Sequence, residues 1–287
     1  MSFLNFNRRA IQATLVLSII LICSCKQKKR MIKSPQGYNF SVVYTEKLDL
    51  KLKEISGLAW DNERDEFLAH NDEGGKLFVL DKSKYAIVNT YQFAGKGDYE
   101  DIAIYKGVPY VLRSDGMITK IIRDSAGVRG VEAGKLNISG TNDFESMYAD
   151  TSRKALILVC KNCAMDTKDD VSAFAFYPDS IGFDVNPVFR INADSIKAMA
   201  PHKSSKFQPS AARIHPKLNK LFIISSASNQ LVVTDLNGNP EAVYELGQKL
   251  FPQPEGLAFK NDGSMYISNE GVTSRGTIHL FRYLPKE

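Results

Sequence analysis

Five short phrases recur along this 287-residue chain at near-constant spacing, and a repeat of that length restricts the fold more than any other feature. They are Ser56-Gly57-Leu58-Ala59-Trp60, Glu100-Asp101-Ile102-Ala103-Ile104, Glu145-Ser146-Met147-Tyr148-Ala149, Ser210-Ala211-Ala212-Arg213-Ile214 and Glu255-Gly256-Leu257-Ala258-Phe259. Their first residues stand 44, 45, 65 and 45 positions apart, so one interval carries about twenty extra residues. Each phrase opens the same succession of short apolar and β-branched runs. In the first unit these are 56–61, 66–71, 76–81 and 86–93, with a turn at Gly74-Gly75. In the fourth they are 210–215, 221–228, 230–236 and 240–246, with Asn237-Gly238 as a hairpin turn. Asn261-Asp262-Gly263 supplies the matching turn in the fifth unit.

Four-stranded units of roughly 40–50 residues predict the blades of a β-propeller, an all-β fold. The fifth unit shows only three runs, 255–260, 265–269 and 277–283. The segment 39–44, Asn-Phe-Ser-Val-Val-Tyr, precedes the first unit and is predicted to supply the missing strand, which would close the ring and remove an open sheet edge. Five blades are therefore expected. Six is the alternative if the 145–210 interval hides a degenerate blade, but the runs 171–179 and 187–193 already serve as outer strands of blade three.

The opening strand of each blade lines the central channel, and one register position there holds Ser56, Glu100, Glu145, Ser210 and Glu255. Three carboxylates converging on one axis repel one another unless protons or a cation compensate them. An all-oxygen donor set suits a hard cation, Ca²⁺ rather than Zn²⁺. A second layer is read at the ends of the second strands: Asn71-Asp72, Ser114-Asp115, Lys161-Asn162, Ser225-Ser226 and Asn269-Glu270. From it Asn71 and Asn269 are expected to join Glu100, Glu145 and Glu255 as calcium ligands. The competing account is a wet channel whose acids pair with Arg113 and Lys161.

The phrases Glu54-Ile-Ser-Gly-Leu-Ala-Trp60, Gly97-Asp-Tyr-Glu-Asp-Ile-Ala103, Asp143-Phe-Glu-Ser-Met147, Gln208-Pro-Ser-Ala-Ala212 and Pro252-Gln-Pro-Glu-Gly-Leu-Ala258 together resemble the SdiA-regulated, or YjiK-like, β-propeller family, over about residues 40 to 284. The resemblance implies five blades and a calcium site, distantly similar to propellers built from NHL repeats, with Glu100, Glu145 and Glu255 at the matching acidic positions. It implies no settled biochemical role. The Glu-Gly-Leu-Ala phrase is also similar to those of six-bladed calcium-dependent lactonases and esterase-like phytases, from which this chain departs in blade number and in the serines at two ring positions. A binding or interaction module is thus the first expectation. A calcium-dependent hydrolase of a lactone or phosphoester is the alternative, with Ca²⁺ as Lewis acid.

Cys160 and Cys163 form a Cys-x-x-Cys after an apolar strand rather than before a helix, so a local disulfide or two free thiols is expected instead of thioredoxin-like chemistry. His70 is a candidate base beside the metal, though a packed histidine on an inner strand accounts for it more simply. His202 and His215 read as solvated residues of an insertion and a turn. The insertion, 194–207, reads as a loop over one face.

The first residues carry a different message. Arg8 and Arg9 precede an apolar run from Ala10 to Ile22 that is too short to cross a bilayer permanently, so residues 1–24 read as a secretory leader. The run ends in Ile22-Cys23-Ser24-Cys25, which resembles the bacterial lipoprotein cleavage motif, with Cys25 as the lipidated first mature residue. Residues 25–36 then form a basic tether and 37–287 the propeller. The formal net charge of +5 comes from 37 Lys and Arg against 32 Asp and Glu. Removing Arg8, Arg9 and the five basic residues Lys26, Lys28, Lys29, Arg30 and Lys33 leaves the body near −2 (5 − 2 − 5). Such a body offers no phosphate-backbone footprint, and no nucleic-acid partner is expected. The expected partners are the membrane, through the lipid, and a protein or glycan. The expected location is the bacterial cell envelope, at the outer membrane or facing the periplasm.

Overall fold

A computed structural model of the chain describes residues 33–180, 182–200 and 206–285. Cys25 and the leader, like His202, lie outside the described residues. The chain enters through strand β1 (Tyr44–Lys47). Blade one follows as β2 (Ile55–Asp61), β3 (Glu66–Asn71), β4 (Lys76–Leu80) and β5 (Ile87–Gln92). Blade two comprises β6 (Tyr99–Tyr105), β7 (Val108–Arg113), β8 (Met117–Asp124) and β9 (Gly127–Lys135). Blade three comprises β10 (Asn142–Asp150), β11 (Ala155–Cys163) and β12 (Asp170–Tyr177), with its outer edge shared by β13 (Gly182–Phe183) and β14 (Phe189–Asn192). A short helix, α1 (Ala193–Met199), leads to blade four, β15 (Ala211–Ile214), β16 (Leu221–Ser225), β17 (Gln230–Thr234) and β18 (Pro240–Glu245). Blade five comprises β19 (Pro254–Phe259), β20 (Met265–Asn269) and β21 (Thr277–Phe281).

Every blade is an antiparallel sheet, and β1 adds to β21 as the outer strand of the last one, so the two ends of the described chain close the ring. Five blades are present; the interval from 145 to 210 holds the split outer edge of blade three and α1, not a sixth blade. The middle strands bury both faces because each blade is covered by its two neighbours, which is why β11, β12, β16 and β17 read as nearly unbroken apolar runs. The outer strands alternate weakly, β5 staying largely exposed and β18 half-buried. The turns at Gly75, Gly238 and Gly263 adopt positive φ of 57°, 78° and 91°, a conformation that glycine reaches without a Cβ clash.

The closing strand differs from its expected place. Residues 39–43 are not its body; it starts at Tyr44, and its four residues are exposed and polar. The apolar residues upstream are used as a wedge between blades four and five. Tyr38 packs against Phe222 and Tyr283, and Phe40 against Phe251 and Phe281. Burying those rings stabilises closure more than adding them to an exposed edge strand would.

His215 is likewise buried and not solvated. Its Nδ1 accepts hydrogen bonds from the backbone N–H of Lys217 and Leu218 at 3.1 and 3.0 Å, while Nε2 lies 2.6 Å from the Tyr38 hydroxyl. No helix among the described residues is long and apolar enough to cross a membrane.

Candidate functional site

The inner strands β2, β6, β10 and β19 share an irregularity. In each, the ladder skips one residue: Ile55 and Gly57 pair across Ser56, Tyr99 and Asp101 across Glu100, Phe144 and Ser146 across Glu145, and Pro254 and Gly256 across Glu255. A bulge of this kind leaves one residue outside the ladder and re-aims its side chain. The skipped residues are the ring positions picked out by the repeat. The fifth, Ser210, stands just before β15, with its N–H still bonded to the Ile224 carbonyl at 2.8 Å.

Blade three carries a second bulge. Asp143 pairs with Asn162 and Phe144 with Cys160, so Lys161 is skipped on β11 as Glu145 is on β10. The two displaced side chains form an ion pair, with Asp143 also 3.9 Å from the Lys161 ammonium. Cys160 and Cys163 are joined as a disulfide with Cα atoms 5.8 Å apart, so the link spans the bulge that presents Lys161.

The electrostatics around Lys161 are those of an acid-rich, partly dry site. Burial, with Asp98 and Asp143 nearby, pushes the Glu100 carboxyl up to about 8. Burial and then Glu270 push Glu255 up to about 7, against the opposing help of the Ser226 and Ser210 hydroxyls and of Lys161. Glu270 itself rises to about 7 through burial, then Asp72 and Glu54. Asp72 and Asp143 are raised as well, burial being the main cause in each. Arg113 is spent on Asp115, with which it makes two contacts of 2.8 Å.

The two asparagines behave differently from the glutamates. Asn71 turns its Oδ1 to the Gly74 N–H at 3.3 Å, capping the 71–74 turn. Asn269 is fully buried; its Nδ2 reaches Thr277 Oγ1 at 3.4 Å and its Oδ1 has no hydrogen-bond partner. Lys161, Ser226 and Glu270 act on Glu255, Lys161 acts also on Glu100, and Asp72 acts on Glu270. A hard cation suits this set by chemistry, since its donors are carboxylate oxygens whose mutual repulsion Lys161 only partly offsets. The three glutamates are not gathered as tightly as ligands of one ion. Among the described residues, the one group of three His, Cys, Asp or Glu ligand atoms lying within 4.8 Å of one another is Cys160, Cys163 and Asp166, where the two sulfurs are already bonded together.

Beneath the ring the channel is shut by a residue the repeat did not flag. Arg213, on β15, reaches across the axis to blades one, two and three. Its Nη2 donates to the Leu58 carbonyl at 3.0 Å and to Asp101 Oδ1 at 2.7 Å, and its Nη1 to Asp101 Oδ2 at 3.0 Å and the Met147 carbonyl at 2.7 Å. Asp101 is fully buried and also accepts from the N–H groups of Ile102 and Met147 at 2.7 and 2.9 Å. His70 is buried nearby against Gly57, whose missing Cβ makes room for the imidazole, and burial lowers it to about 4. It is a neutral packed histidine. The insertion forms α1 beside Asn162 and Cys163, enclosing a cavity of about 490 Å³ that Asp166, Asp194, Lys197 and Lys206 help to line.

A family model described as SdiA-regulated matches residues 186–272, from the outer edge of blade three into blade five, and bears out over that stretch the resemblance carried by the repeated phrases. No curated protein sequence matches the chain. Among solved structures the chain is similar to glutaminyl cyclase of Myxococcus xanthus, at 11% identity over 84% of this chain and 95% of that one, with a TM-score of 0.57. It is similar to a structural genomics protein of unknown function from Bacteroides thetaiotaomicron at 14% identity, over 79% and 58% of the two chains, with a TM-score of 0.53. It is also similar to a gluconolactonase of Xanthomonas campestris at 9% identity, over 84% and 90%, with a TM-score of 0.50. At such identities the likeness is one of fold.

Proposed function

We propose that the protein is a lipid-anchored, cell-envelope binding module whose axial glutamates hold Ca²⁺ and whose ring face receives a protein or glycan partner. The observation that carries this reading is the set of bulges that turn Glu100, Glu145 and Glu255 out of their ladders at one end of the channel. A strand gives up ladder pairing at a bulge, and four of five inner strands do so at the same repeat position. Bound calcium supplies the positive charge that three such carboxylates lack. Lys161 occupies that role in the free protein, so loading requires its ammonium to withdraw from Glu145 and the three carboxylates to draw together.

The hydrolase reading of the same site draws no support from the geometry. Ser210, the hydroxyl beside Glu255, is committed to the Pro254 carbonyl at 2.9 Å, and His70 is buried beneath the ring.

Calorimetric titration of the purified protein with CaCl₂ tests the calcium site. The expected result is one site per chain, weakened at least tenfold by Glu145→Gln and strengthened by Lys161→Met. The absence of heat in both the parent and Lys161→Met would remove calcium from the reading. Loss of incorporated fatty acid from Cys25→Ala in labelled cells tests the anchor separately.

A further inference from the structure

On the far side of Arg213 the channel reopens. The cavity there has a volume of about 330 Å³ and is walled by the fourth and fifth residues of all five repeat phrases. At the fourth position three blades carry alanine, Ala59, Ala103 and Ala258, which leaves the space open. At the fifth stand Trp60, Ile104, Ala149, Ile214 and Phe259. The ring position and the fifth position are four residues of extended strand apart, roughly 13 Å, with the Arg213 and Asp101 pair between them.

We propose that this end of the channel is a second binding site, independent of the calcium reading, for a small, neutral, planar aromatic molecule. Size sets the first limit, because about 330 Å³ is at the lower end of small-molecule sites. Charge sets the second. Arg213 is the one lining residue charged at neutral pH, burial keeping the Tyr148 hydroxyl protonated, and both terminal nitrogens of the guanidinium are engaged by Asp101 and backbone carbonyls, so a charged ligand would lose water without gaining a counter-charge. Wall chemistry sets the third. Trp60 and Phe259 present flat aromatic surface, against which another ring packs in offset or edge-to-face fashion. Thr151, also in the lining, provides a hydroxyl, and Asn261, whose Nδ2 donates to Asn62 Oδ1 at 2.6 Å, an amide oxygen for one polar substituent.

The walls are braced from behind, so the space does not depend on a ligand to open it. Trp60 stands edge-on to Phe67 at 4.8 Å between centroids and carries the Lys260 ammonium over its ring at 4.1 Å. Phe259 is held by His215 at 4.8 Å and Phe222 at 5.4 Å. A site ordered before binding avoids much of the cost of immobilising its side chains.

Trp60 is the only tryptophan in the chain, so its emission reports on this cavity. The test titrates the purified protein with N-phenylnaphthylamine, a neutral two-ring aromatic, while exciting Trp60. The expected result is saturable quenching with energy transfer to one probe per chain. Ala258→Leu, which fills the cavity, should weaken binding at least tenfold, whereas Glu145→Gln should leave it unchanged. Should Ala258→Leu fail to melt as a folded protein, Ile104→Gln makes the same test by placing an amide on a partly exposed wall residue. Quenching that never saturates, equal binding in the cavity variants, or equal affinity for the anionic anilinonaphthalene sulfonate would each overturn the proposal.

Discussion

The two ends of the channel are built from the same five strands and differ in one local device. At the ring end the ladder is interrupted by bulges in four of the five inner strands, and the displaced side chains are mostly acids. At the far end the ladders run without a skip, Leu58 to Asp61 against Ala69 to Glu66 and Ile102 to Tyr105 against Val111 to Val108, and the residues are alanine and large apolar groups. The contrast shows how a repeat protein separates roles along one short strand. Regular pairing fixes the wall, and a single extra residue per blade turns a side chain to the axis. Between the two ends lies the Arg213 and Asp101 pair, which makes them separate compartments.

Breaking that partition should have the largest effect. Arg213→Met leaves the Asp101 carboxylate buried without its partner, and a loss of about 3–5 kcal/mol is expected from an orphaned buried charge. Chemical denaturation monitored by circular dichroism measures it. The double variant Arg213→Met, Asp101→Leu should recover much of the loss, since an apolar pair of similar volume often replaces a buried ion pair without penalty. A single variant that loses less than about 1 kcal/mol would mean that water already reaches Asp101 and that the two ends communicate.

How much of this contrast the sequence displays depends on the element. Blades, turns and ring residues are legible because apolar periodicity and repeat spacing report backbone pairing directly. The layer beside the ring is not, and the reason is a one-residue offset. Asn71 and Asn269 end β3 and β20 opposite Ile55 and Pro254, beside the skipped Ser56 and Glu255, and it is the acids that follow them, Asp72 and Glu270, that interact, Asp72 raising Glu270. The closing strand is displaced for a different reason: Phe40 joins Tyr38, just upstream, in a buried wedge, while Val42 and Tyr44 stay exposed. Arg213 and Asp101 left a signal that spacing alone does not weigh. Among the five aligned phrases, the second position is otherwise Gly, Ser, Ala and Gly, and the fourth is otherwise Ala, Ala, Tyr and Ala. One acid and one base at such positions are a matched pair across the axis.

The disulfide at the ring end offers a smaller perturbation. Cys160→Ser with Cys163→Ser opens a closed loop of four residues, for which the chain-entropy account gives about 2 kcal/mol. Thermal melting should register that loss. The same variant should alter calcium affinity, because Lys161 is presented from within the loop, while probe binding beside Trp60 stays unchanged. A change at both ends would show that the staple supports the whole channel rather than the ring.

The smallest expected effect is on pH dependence, and it reads the ring end alone. In calcium-free protein Glu100, Glu255 and Glu270 stand at about 8, 7 and 7, above the ordinary 4.5 of a glutamate. The native state therefore keeps protons that the unfolded chain has released, and stability falls as pH rises through this range. His70 and His215 act in the opposite sense. Burial holds each at about 4, so the unfolded chain takes up protons below about 6.5 that the native state refuses, and their contribution is lost as pH falls. Between about pH 4.5 and 6.5 the two effects oppose each other. Above about 7 the histidines are largely neutral in both states and the glutamates dominate. Stability should then drop by about 1.5 kcal/mol from pH 7 to 8, in a window where an ordinary carboxylate is fully ionised in both states. Glu100→Gln with Glu255→Gln should flatten the slope, and calcium should reverse it, because the charged carboxylates are the form that binds. Ala258→Leu, at the apolar end, should leave it as it was. A slope that is flat in the parent protein would mean that water or Lys161 already satisfies the ring, and the two ends of the channel would then differ in shape but not in electrostatic load.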